Sequence, residues 1–191
     1  MLIQKSPYFA TSLKDAWNGK ENTVTMDDVD SATFEAFINY VYTEKLPKLV
    51  NTAVTWRPVF KLVCNLYKFA DKMMMAGMCN AIVDHVIAFM KPDNLVFDFH
   101  NVATLAELEL LDTKLGFMVK QGATRYFLNE PNKDKDGSMS ISQLGDSMKT
   151  WHSIMQCIRD YNEKSWPYPW LDEQCKYHNH SDGKKCDPNK K

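Results

Sequence analysis

Four residues near the C-terminus have the types and spacing to hold a metal ion. Cys175-x2-His178-x-His180-x5-Cys186 places two thiols and two imidazoles within twelve residues. This is the donor set that tetrahedral zinc prefers, and a structural site of that kind supplies on the order of 10 kcal/mol of apparent binding energy to a segment with little core of its own. The spacing is not that of a standard zinc finger, and His-x-His needs extended backbone for both rings to face one ion. Two readings of the tail therefore stand. One is a zinc site; the other is a flexible, lysine-rich segment with unpaired thiols. If one coordination position stayed open to water the ion could be catalytic, and only Glu173 lies near in sequence as a general base.

Elsewhere the chemistry is sparse. Asn132, Asp134, Asp136, Gly137, Ser140 and Gln143 fall at positions of a calcium-binding loop, but Gln143 stands where calcium needs a bidentate carboxylate, so a solvated linker is the stronger account. No phosphate-binding glycine loop, nucleophile elbow or paired-His metalloprotease helix occurs. His85 and His100 sit beside Asp84 and Asp98 respectively, but neighbours in sequence on a helix point in different directions, so both read as structural histidines. Tyr161, Trp166, Tyr168 and Trp170 could stack on bases, yet without a basic groove they read as an aromatic and proline-rich strap.

The elements that must position these residues are helical. Ser6-Pro7 is a helix start, with the Ser hydroxyl accepting a backbone N–H and Pro at the first helical position, and the helix runs to about Trp17. Thr23 to Met26 alternates like a short strand. Ser31 reads as the cap of the next helix, in which Phe34, Phe37, Ile38, Val41 and Tyr42 form one apolar stripe. Pro58 opens a further helix, the segment Met73–Gly77 breaks it, and a second helix continues to Lys91-Pro92, making an αα-hairpin. Asn94 caps a less regular helix, Leu115 to Leu128 forms another, 129–142 is a polar linker, and Leu144 to Tyr161 is the last helical stretch. The fold class is mainly α with one or two short strands. Its expected parts are residues 1–90, a helical extension over 91–165, and the strap and Cys/His tail over 166–191.

Lys and Arg number 23 against 24 Asp and Glu, so the net charge of −1 supplies no field to attract nucleic acid or an anionic membrane. No apolar run is long enough for a signal sequence or a membrane span. Five cysteines, an odd count without a secretion signal, suit reduced thiols in the cytoplasm or nucleus.

The motifs SPYF at 6–9, FEAFINYVYTEKL at 34–46 and LVCNLYKFADKMMMAGMCNAIVDHV at 62–86, in that order, resemble the middle and C-terminal parts of a BTB/POZ domain, especially of the fungal type. The resemblance covers about residues 6–86 and implies a non-enzymatic protein-interaction module, self-associating or acting as adaptor for a ubiquitin ligase or transcriptional regulator. Such domains have an opening strand pair and first helix before the SPYF helix, and Met1 leaves no room for them, so an N-terminally truncated domain with a weakened dimer seam is expected. Family members that recruit a cullin-type scaffold use an apolar-x-Glu motif after this helix. Here the matching stretch is Trp17-Asn18-Gly19, which keeps the apolar anchor and lacks the glutamate, with Glu21 close by. Trp17, Glu21 and Tyr42 are thus the candidate partner contacts, although Trp17 also suits a packing role. A small metal-binding protein, a zinc enzyme built on the tail, and a degenerate paralogue are the alternatives.

Overall fold

The computed structural model describes residues 4, 6–16, 25–49, 56–90, 97, 99–129, 148–160, 174–180 and 186. They form seven α-helices and one short 3-10 helix, and no β-strand occurs among the described residues. Helix α1 is Pro7–Ala16, α2 Ser31–Thr43, α3 Trp56–Lys72, α4 Ala76–Met90, α5 Phe99–Glu107, α6 Lys114–Asn129 and α7 Met148–Asp160; the 3-10 helix is Gln174–Tyr177. The chain divides into two compact units, residues 1–82 and 83–191, with the division falling inside α4. No helix among the described residues is long and apolar enough to cross a membrane.

In the first unit the helix starts follow from side-chain caps. Ser6 Oγ accepts the Phe9 N–H at 3.3 Å and donates to the Met73 carbonyl at 2.7 Å, so one hydroxyl caps α1 and ties it to the end of α3. The cap of α2 is Asp30 rather than Ser31. Its Oδ1 accepts the Thr33 N–H at 2.8 Å, and its Oδ2 takes the Thr33 hydroxyl at 2.7 Å and Asn65 Nδ2 of α3 at 3.3 Å. Around these caps sits an aromatic cluster. The Phe37 ring packs on Phe9 at 6.1 Å and edge-on against Phe69 at 4.9 Å, all three rings buried. Burying each such side chain is worth roughly 1.5 to 3 kcal/mol, and a well-oriented ring pair adds about 0.5 to 1.5 kcal/mol.

The apolar stripe expected on α2 is buried along one edge only. Thr33, Phe37 and Val41 are buried, whereas Phe34 is 39% exposed, Tyr42 is 65% exposed and Ile38 between them is half-buried. The strand expected at Thr23–Met26 is also corrected in part. Thr23 and Val24 lie outside the described residues, and Thr25 and Met26 belong to no strand but lead into the turn at Asp27–Val29. Four alternating residues form a strand only against a partner ladder.

Helix α3 ends in a Schellman motif. The Met75 N–H bonds the Ala70 carbonyl and the Met74 N–H the Asp71 carbonyl, both at 2.9 Å, and Met74 takes the left-handed conformation at φ 56°. The chain turns at Met74, while Gly77 lies inside α4 with open space beside it.

The second unit is built on α6, which packs on α5, α7 and the 3-10 helix. Its core includes Val86, Met90, Val102, Leu105, Leu111, Leu115, Met118, Val119 and Ile154. Gly116 is required by close packing: a Cβ there would lie 2.1 Å from the Leu110 carbonyl oxygen. Thr113 caps α6, its hydroxyl accepting the Gly116 N–H at 3.1 Å and donating to the Leu110 carbonyl at 2.7 Å. The linker near 129–142, the cap expected at Asn94 and the strap at 166–170 fall outside the described residues, apart from Asn129 at the end of α6.

Candidate functional site

Three of the five cysteines are removed from chemistry by their surroundings. Burial pushes the Cys64 and Cys157 thiols up, and holds Cys79 at about 12, with Asp71 adding to the rise. Among the described residues none of the three has other ligand-type side chains grouped about it, so they serve as packing residues. Cys175 and Cys186, in the tail, remain.

The tail is positioned by the 3-10 helix, whose own anchors were not apparent in the sequence. Tyr177 is fully buried, donates its hydroxyl to Gln121 Oε1 of α6 at 2.6 Å, and packs against Phe117 with ring centroids 6.0 Å apart. Lys114 Nζ donates to the Lys176 carbonyl at 2.9 Å. Cys175 sits inside this 3-10 helix and His178 directly after it, with the His178 N–H on the Cys175 carbonyl at 3.2 Å.

From that base three of the four residues singled out by spacing converge, and the fourth, His178, touches one of them. Cys175 Sγ lies 3.2 Å from His180 Nε2, and Cys186 Sγ lies 3.6 Å from the same nitrogen. The ligand atoms of Cys175, His180 and Cys186 all fall within 4.8 Å of one another. His178 joins through Nδ1, 2.9 Å from Cys186 Sγ. The Cys186 N–H donates to Cys175 Sγ at 3.1 Å. Burial, and next the hydrogen bond and charge of Cys175, raise the Cys186 thiol above its ordinary range.

Asp84 of α4 is the residue that sequence reasoning missed. Its Oδ1 lies 2.9 Å from His178 Nε2, across 94 positions of chain. In sequence Asp84 is merely the neighbour of His85, and no local signal links it to the tail. Of the candidate partner contacts, Tyr42 lies on the outer face of α2, while Trp17 and Glu21 are outside the described residues, as is Glu173. His100 lies on α5, with its backbone carbonyl accepting the Thr104 hydroxyl at 3.0 Å.

Comparison with known proteins bears on the first unit. Residues 1–75 match the family model of the BTB/POZ domain. No curated protein and no solved structure matches the chain significantly. The matched region contains the Ser6 cap, the Phe9–Phe37–Phe69 cluster and the α3 terminus at Met73–Met75, so the motifs that carry the resemblance are also the ones that build the core. BTB/POZ domains are typically non-enzymatic, and their common property is binding other proteins. Over residues 1–75 the chain is thus similar to the BTB/POZ domain, a module whose members bind other proteins.

Proposed function

We propose that the chain works without catalysis, in the cytoplasm or nucleus, by associating with proteins through the outer face of α2. The observation that carries this reading is the edge Phe34–Ile38–Tyr42, spaced i, i+4, i+8 beside the buried Thr33–Phe37–Val41 row, along which Phe34 still packs on Phe37 and Phe69 while Tyr42 stands 65% exposed. An exposed aromatic side chain at the edge of an apolar stripe on a well-anchored helix suits an interface, and Tyr is among the residues that dominate binding energy when buried there. A second copy of the chain is the first occupant proposed, since self-association is common in this family; an adaptor role toward a cullin-type ligase scaffold or a transcriptional regulator is the second.

Co-expression of the full chain carrying two different tags tests the first occupant. Pulling on one tag should recover the other, and sedimentation velocity should show a weight-average mass that rises with concentration. A chain that stays monomeric at high concentration and never co-purifies with its differently tagged copy refutes self-association.

A further inference from the structure

We propose that Cys175 Sγ, His178 Nδ1, His180 Nε2 and Cys186 Sγ bind one zinc ion as a closed structural site, with Asp84 as the carboxylate that orients His178.

Distances support the site first. With Zn–S near 2.3 Å and Zn–N near 2.0 Å, the edges of a tetrahedron measure roughly 3.3 to 3.8 Å, and a sulfur–nitrogen edge about 3.5 Å. The Cys175–His180 and Cys186–His180 separations of 3.2 and 3.6 Å are close to that size, so three donors already surround one point, and His178, 2.9 Å from Cys186 and outside the mutual group of the other three, completes the set by turning its ring toward it. Thiol–imidazole hydrogen bonding alone explains one such contact; it does not explain a histidine nitrogen lying between two sulfurs.

The surroundings support it independently. His178 is almost fully buried and both its nitrogens are assigned: Nε2 faces the Asp84 carboxylate, which selects the Nε2–H tautomer and leaves the Nδ1 lone pair pointing into the cluster. A carboxylate on the outer nitrogen of a metal-bound imidazole fixes the ring and raises its basicity. The Cys186 N–H on Cys175 Sγ is the kind of donor that stabilises a thiolate. Four protein donors fill a tetrahedron, so the site holds structure and leaves no position for a substrate. What it holds is the tail: the metal would close the loop from 175 to 186, and Asp84 would tie that loop to α4.

The test uses the full chain, reduced and without a histidine tag. Elemental analysis should find about one zinc per chain, and cobalt(II) titrated into the metal-free protein should give intense tetrahedral d–d bands with thiolate charge transfer. Cys186→Ser should lose both signals. Asp84→Asn, at a side chain 52% exposed and so tolerated by the fold, should keep the tetrahedral cobalt spectrum while weakening zinc binding roughly 10- to 100-fold, with Asp84→Glu restoring part of the loss. Helical circular dichroism of each variant separates lost binding from lost folding. Less than about a tenth of an equivalent of zinc in the reduced chain, together with no tetrahedral cobalt spectrum, overturns the site, as does a Cys175–Cys186 disulfide in freshly purified protein. Unchanged zinc affinity in Asp84→Asn overturns the role given to Asp84.

Discussion

Asp30 shows how much of this fold is held by single polar side chains. Its carboxylate receives the Thr33 N–H, the Thr33 hydroxyl and Asn65, and the two Thr33 bonds do most to hold it below the usual carboxylate range. A depressed folded value means that the stabilisation is complete above the unfolded-chain value of about 4 and is lost as pH falls through the lower folded value. Asp30→Ala should cost about 1 kcal/mol in urea unfolding at neutral pH, and Asp30→Asn, which keeps the cap, about half or less. Stability of Asp30→Asn should also fall less steeply than that of the native chain below about pH 4; parallel acid-unfolding curves would contradict the assignment. The neighbouring Asp28–Lys72 pair is exposed and adds little. Legibility at this scale was uneven. The Ser6 cap could be read because its partners are local, while the α2 cap was misplaced by one residue. The Asp84–His178 contact was illegible, because a bond across 94 positions leaves no trace in spacing.

At the scale of elements, helix type and order were legible from 3.6-residue periodicity, and the faces were not. On α2 five apolar residues span an arc of roughly 140°, and sequence alone does not say that Phe37 and Val41 are buried while Phe34 and Tyr42 lie at its exposed edge. Turn chemistry was also hidden. The break between α3 and α4 was visible in Met73–Gly77, but the residue that adopts positive φ is Met74, which lacks glycine's freedom. Its side chain is exposed, so little packing is lost on removing it. Met74→Gly should therefore stabilise the chain by up to about 1 kcal/mol, read as a higher urea midpoint with an unchanged slope; a lower midpoint would show that the methionine side chain contributes more than the strain costs.

For the whole molecule, the two units differ in how they announce themselves. The first was recognisable because its motifs are also its core contacts: SPYF supplies the Ser6 cap and Phe9, and the LYKFADKMMM segment supplies Phe69 and the Schellman turn. The second has no such motif and was legible only as helices; the packing of the tail on α6 depends on Tyr177 and Gln121, which lie 56 positions apart. The zinc-ligand spacing was readable, but the base that brings those ligands together was not. The central claim is that association with proteins runs through the exposed edge of α2. Its most direct test compares the native chain with Tyr42→Asp, at the most exposed position of that edge. Binding to a differently tagged native copy should weaken at least about tenfold, as expected when an anchor side chain is removed from an interface, while helical content and the urea midpoint stay close to native. Undiminished binding by the folded variant would contradict the account.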